Sequence, residues 1–266
     1  MPGFRSTVTA DRDLDILVRG SVTTQDIAYI RHAVAELLRA ATETDPVRVK
    51  LAEYRDGDGV SLAVVQVNLE LHGRLVRAQA SADTLPAAVD RAATALAPRI
   101  HRLQRRLSLS EMGPPSFADE PWDRRAARIL PQIIKTEGRV RQVTRHKTYP
   151  LAVQDLGAAA FTMDLRDYDF HLFVDDVSSQ SAVLLRTGAA GFQLLVDRPG
   201  LLGRCAGGVP LQGPASPLPR LTLPEAVRAL DTSRAACLAF TGIGSGRGTV
   251  LYRRFDGNLG LITSRW

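Results

Sequence analysis

Along the first hundred positions apolar residues recur with two different periods, and the changes of period predict the elements of one domain. DILVRG (15–20) reads as a short strand. From Thr23 or Thr24 to about Ala41, residues Ile27, Ile30, Val34, Leu37, Leu38 and Ala41 return at helical spacing, and either threonine can cap that helix. Pro46 opens a second strand, VRVKLAEYR, and Gly57-Asp58-Gly59 turns the chain. SLAVVQVNLELHG then alternates, with Val65, Val67, Leu69 and Leu71 on one face, and His72-Gly73 leads into LVRAQASA. Asp83 or Thr84 begins a long helix to about Leu107, with Pro86 in the first turn, where a missing N–H is harmless. The order β-α-β-β-β-α predicts an α+β domain over residues 1–107, a sheet with two helices on one face.

Periodicity lapses over residues 108–139, where Pro, Gly and charge mix. This stretch is expected to be a flexible linker, with one helical turn around Arg124–Leu130. Extended patterning resumes in VRQVTRHKTYPL, and from there the chain states one pattern twice. Within repeats at 140–197 and 221–266, sliding the stretch 151–196 over 221–262 by 67 positions places Met163 on Leu230, Phe173 on Phe240, Val183 on Val250, Arg186 on Arg253 and Leu194 on Leu261. Each copy reads as a short helix, a strand, a Gly/Ser/Asp turn and a hairpin, with residues 198–220 as a Gly/Pro-rich connector. A unit of about 45 residues buries too little surface to be secure alone. Two small β-rich repeats are therefore expected to pair, within one chain or between chains, through Phe173, Phe240, Leu251, Tyr252 and Leu261. In the closing LYRRFDGNLGLI, Asp256-Gly257 or Gly257-Asn258 supplies a tight turn. One of Arg253 and Arg254 is expected at the interface and the other in water.

Charge changes the picture at one place. The formal net charge is +6 and almost all the basic residues are arginine, a balance that favours an anionic partner only where it clusters. On the second long helix, Arg91, Arg99, Arg102, Arg105 and Arg106 fall within about a third of the circumference at 100° per residue. Val89, Leu96, Ile100, Leu103 and Leu107 form a separate apolar stripe, and no acid follows Asp90 in the helix. The stripe is expected to dock on the sheet while the guanidinium row faces outward to track phosphates. Pro98 should kink this helix.

Other chemistry is not visible. His32, His72, His101, His146 and His171 form no metal-binding spacing, and Cys205 and Cys237 are expected to be reduced thiols. GIGSGRG (242–248) lacks the Lys-Ser/Thr and the following helix of a phosphate loop, so it reads as a turn. DLRDYD (164–169) reads as a polar turn. No catalytic residue, metal or cofactor is expected. The absence of an 18-residue apolar run and of an apolar leader predicts a cytoplasmic protein without a membrane span.

These residues carry a resemblance. Element order, the LVRG first strand, and DTLPAAVDRAATAL leading into RIHRLQRRL make residues 14–107 similar to the ribosome-binding domain of ribosome hibernation-promoting factors and ribosome-associated inhibitors. Residues 140–266 resemble the C-terminal domain of the family's long form, whose typical YRRxDGxxGLI ending stands here as YRRFDGNLGLI. The resemblance implies a non-enzymatic protein that binds the small ribosomal subunit and its rRNA in the mRNA/tRNA channel and blocks initiation. The RNA-facing residues would be Arg91, Arg99, Arg102, Arg105 and Arg106, with Arg19 and Arg31 as lesser candidates. In long forms the C-terminal domain pairs with a copy from another chain to join two ribosomes. This sequence departs by carrying the domain twice, the first copy reading LRTGAAGFQLL at the signature, which leaves stabilisation of single ribosomes open. The competing reading is a dimeric interaction module that regulates transcription through a polymerase subunit.

Overall fold

The computed structural model describes residues 5–7, 14–38, 47–55, 61–110, 141–188, 191–201, 208–233 and 235–265. The expected end of the first helix at Ala41, the turn at Gly57–Gly59, the helical turn at Arg124–Leu130 and Cys205 lie outside them. The described residues form two compact units: those up to Ser110 together with Leu165–Asp167, and the remainder from Arg141 onward.

The first unit runs β1 (Arg5–Thr7), β2 (Leu14–Arg19), α1 (Thr24–Leu38), β3 (Val47–Arg55), β4 (Ser61–Leu71), β5 (Arg74–Ala82) and α2 (Leu85–Ser110). Its strands lie in the order β1-β2-β3-β4-β5. The crossover through α1 makes β2 and β3 parallel, whereas the tight turn at His72-Gly73 makes β4 and β5 antiparallel. His72 and Gly73 both take positive φ, 50° and 69°, as that turn demands. Thr23 caps α1: its hydroxyl accepts the Asp26 N–H at 3.2 Å while Asp26 accepts the Thr23 N–H at 2.9 Å. Alternation puts Ile16, Val49, Leu51, Val65, Val67, Leu69, Val76 and Ala78 on one sheet face, where they bury with Ile30 and Val34 of α1 and Ala92, Leu96, Ile100 and Leu103 of α2. That shared core carries α2 through Pro98 to Ser110, so the helix continues three residues past its expected end. The three-residue β1 was not expected, since its sequence carries no alternation.

The second unit contains β6 (Val143–Pro150), β7 (Val153–Gln154), α3 (Leu156–Leu165), β8 (Phe170–Asp175), β9 (Ser181–Arg186), β10 (Phe192–Val196), β11 (Ser216–Pro217), β12 (Arg220–Leu221), α4 (Leu223–Thr232), β13 (Cys237–Gly242), β14 (Gly248–Arg253) and β15 (Leu259–Arg265). These strands make two sheets, β11-β10-β9-β8-β7 and β12-β13-β14-β15-β6, with matching connectivity. In each, a two-residue strand precedes a helix and pairs in parallel with the first strand after it. Three antiparallel strands follow. The far edge is then filled by a strand from elsewhere: β11, from the stretch expected as a bare connector, pairs with β10, and β6 pairs with β15.

Strand alternation decides which residues join the sheets. Leu172 and Val183 of one sheet and Ala239, Val250 and Ile262 of the other share a buried cluster with Leu218, and Phe170 and Tyr252 pack against it. Their odd-even neighbours face the helices: Phe240, Leu251, Leu259 and Leu261 bury with Ala226 and Leu230 of α4. Of the expected pairing residues, Tyr252 therefore contributes to the inter-sheet cluster. Phe240, Leu251 and Leu261 seat α4 instead, and Phe173, next to Leu172, points by alternation to the α3 side. Size did not separate the two faces: the joining face mixes Leu172 and Leu218 with Val183, Val250, Ala239 and Ile262.

DLRDYD is more than a polar turn. Asp164 pairs with Arg186 at 3.1 Å, with side chains 1% and 0% exposed. Arg253 and Arg254 also depart from expectation. Arg253 donates to the carbonyls of Leu230, Ser233 and Ala235 at 2.5, 2.8 and 2.9 Å, satisfying acceptors at the end of α4. Arg254 pairs with Asp256 at 2.7 Å across the turn, where Gly257 holds φ at 79°.

Candidate nucleic-acid interface

A phosphate-binding surface needs cations that reach solvent, fixed by elements that do not move. Arg91 and Arg105 lie exposed on α2, and Arg102 and Arg106 are half-buried beside them. Arg91 donates to the Ser81 carbonyl at 2.8 Å, which holds its guanidinium beside the end of β5. Arg31 on α1 and Arg19 on β2 are also half-buried, and Arg19 stacks over the Tyr54 ring at 5.4 Å.

Arg99 is the correction. It is 2% exposed, and its guanidinium meets Asp167 at 2.6 Å, with both side chains 3% exposed, and also donates to the Ala95 carbonyl. On the helical wheel Arg99 sits at the border between the arginine row and the apolar stripe, next to buried Leu96 and Ile100. A border position is settled by its partner, and the partner lies 68 residues away in sequence.

The sheet face opposite the helices carries a polar set that the helix row overshadowed. Alternation in VRVKLAEYR leaves Arg48 and Lys50 between buried Val47, Val49 and Leu51. Cross-strand register aligns Arg48 with Asn68 and Lys50 with Gln66, and sets Asn68 beside Arg77 and Gln66 beside Gln79. The side chains interlock: Arg77 donates to Gln66 at 3.2 Å and Gln79 at 2.6 Å, Gln66 donates to Asn68 at 2.7 Å, and Arg48 donates to Asp15 at 2.8 Å. Amides and guanidinia held this way present both donors and acceptors. The signal was available in the sequence, as basic residues alternating with valines.

Among the described residues no group of three His, Cys, Asp or Glu side chains is placed to hold a metal ion, and no helix is long and apolar enough to cross a membrane.

Residues 139–194 match the family model described as the Sigma 54 modulation/S30EA ribosomal protein C terminus. A segment covering 17% of the chain is 49% identical to 22% of a ribosome hibernation promotion factor from Bradyrhizobium diazoefficiens. A dormancy associated translation inhibitor from Mycobacterium tuberculosis is 34% identical over 259 residues, covering 94% of this chain and 88% of the relative. The chain belongs to the ribosome hibernation-promoting factor and ribosome-associated inhibitor family. Among solved structures, the N-terminal domain of Thermus thermophilus Protein Y matches at 24% identity and a TM-score of 0.29, over 34% of this chain and 98% of that one. The family-model match ends at residue 194, so it runs from β6 into β10 and does not reach β13–β15.

Proposed function

We propose that this chain binds the small ribosomal subunit in the channel used by mRNA and tRNA, holds translation off and keeps idle ribosomes intact. The observation that carries this reading is similarity along nearly the whole chain to a protein named for translation inhibition in dormancy. The α2 face supplies the chemistry: Arg91, Arg102, Arg105 and Arg106 lie along one side of a helix with no acid after Asp90, and Arg19 and Arg31 extend the set. Arg99 is left out because a carboxylate already engages its buried guanidinium.

The reading of the second unit is the family's C-terminal domain carried twice, its halves paired within the chain. Matching strand connectivity, the common inter-sheet cluster and the exchanged edge strands support it. So does the parallel role of Arg186 and Arg253, each of which bonds groups at the end of the preceding helix. With its halves paired within the chain, this domain does not need a second copy, and ribosomes are kept single.

Co-sedimentation with ribosomes through sucrose at graded salt tests the first part. Arg102→Ala/Arg105→Ala/Arg106→Ala should weaken binding and make its log–log salt dependence shallower by about 2 to 3. A protein that stays at the top of the gradient at low salt refutes ribosome binding. A paired-ribosome peak that disappears when residues 141–266 are removed refutes pairing within the chain.

A further inference from the structure

The outer edge of the second unit has a composition and exposure that pairing does not explain. Residues 138–154 contain Arg139, Arg141, Arg145 and Lys147 and no Asp or Glu. Within this stretch β6 is the last strand of its sheet, and every residue from Thr144 to Pro150 is exposed. Register against β15 sets Arg145, Lys147 and Tyr149 opposite Gly260, Ile262 and Ser264, so these three share one face. His146 and Thr148 take the other face, gathered around Thr263 at 3.0 Å each.

We propose that this face of β6 is a second RNA-binding surface, one that takes a single-stranded backbone along Arg145 and Lys147 and stacks a base on Tyr149. Two cations separated by one residue on a strand stand roughly 6.5–7 Å apart, fixed by the ladder to β15. Tyr149 is 40% exposed, a large aromatic surface held beside them. A cationic track with an aromatic platform is how proteins hold single-stranded nucleic acid without reading its sequence. The neighbouring charges agree in sign: Arg265 lies opposite Pro150, and Arg247 donates to the Ser264 carbonyl at 3.1 Å, which anchors its guanidinium at the end of β15. Asp231 of α4 is engaged by Arg141 at 3.3 Å and Asp256 by Arg254. Edge strands often carry cations merely to prevent pairing with other chains. That role accounts for Arg145 and Lys147, but it disfavours an exposed tyrosine on the same face and does not require seventeen residues without an acid.

The surface is tested in the full chain carrying Arg102→Ala/Arg105→Ala/Arg106→Ala, so that α2 does not dominate and the outcome is independent of whether α2 binds ribosomes. Binding of a labelled oligouridylate is measured by anisotropy across a salt series. Adding Arg145→Gln/Lys147→Gln should make the log–log salt slope shallower by about 1.4, roughly 0.7 per cation. Adding Tyr149→Ala should weaken binding by roughly 5- to 150-fold with the slope kept. Arg145→Glu/Lys147→Glu provides a second charge variant, and thermal melts confirm that each variant is folded. The proposal is overturned if the α2 variant binds no oligouridylate at low salt, or if folded charge variants keep the parent's affinity and slope. Equal displacement by polyglutamate at matched charge also overturns it, because the face would then read acidic polypeptide.

Discussion

Gly260 tests whether the two sheets are locked to each other through Tyr252. Gly260 sits in β15 directly opposite Tyr252 of β14. A Cβ added there would lie 2.5 Å from Tyr252 Cε1 and closer still to Cζ. Ordinary contact begins near 3.4 Å, so the ring must move by roughly 1 Å. It has little room to do so, since its centroid is 5.7 Å from that of Phe170 in the other sheet and it packs against the inter-sheet cluster. Overpacking of this kind costs about 1–3 kcal/mol. Gly260 is outside the positive-φ region, so alanine brings no backbone strain and by itself stiffens the unfolded chain, a gain of about 0.4–1 kcal/mol. Gly260→Ala should therefore be a net loss of about 1–2 kcal/mol in urea unfolding, with faster amide exchange in β14 and β15. In a Tyr252→Leu background the clash is gone, and the same substitution should be neutral or stabilising, a coupling of about 1–3 kcal/mol. If Gly260→Ala is as stable as the parent, or is equally destabilising in both backgrounds, the ring does not fill this space and the reasoning fails.

Two further outcomes follow from buried groups. Asp164→Asn leaves the Arg186 guanidinium buried without its anion and should cost about 3–5 kcal/mol in urea unfolding, whereas Asp164→Leu/Arg186→Met should come close to the parent; a loss under about 1 kcal/mol for the single change would mean water reaches the pair. Although Cys237 as a residue is only partly covered, burial of its thiol, with Asp169 nearby, pushes the pKa up to about 12. In a Cys205→Ser background Cys237 should resist iodoacetamide at pH 8 until the chain is unfolded. The neutral thiol's contribution to stability is complete below the ordinary thiol pKa and is lost as pH rises toward 12. Labelling of the native protein at the rate of a free thiol would contradict both statements.

The α+β architecture was legible where pattern is local. Val65, Val67, Leu69 and Leu71 announced β4 by alternation, and Ile30 and Val34 announced the buried side of α1 by helical return. What stayed hidden depends on partners far along the chain. Arg99 stands at the edge of an apolar stripe, and a helical wheel does not say whether a carboxylate waits there. Phe240 and Leu251 looked like interface residues because they are large, yet parity placed them under α4 and left smaller Val183 and Val250 between the sheets. β6 read as an extended stretch at the front of the first copy, and nothing local shows that its ladder partner is β15.

That ladder has a consequence for how the protein is made. His146 and Thr263 touch across 117 residues of sequence, and β10 likewise receives β11 from beyond its own hairpin. The first unit's sheet needs no residue after Ala82, so it can close while synthesis continues. The second unit cannot: β6 leaves the synthesising ribosome with its edge bare and must wait for β15. Loop closure over such a span is slow, so the last step of maturation falls after α2 is already in place. A newly made chain thus passes through an interval in which its α2 cations are presented on a folded unit before the paired sheets exist.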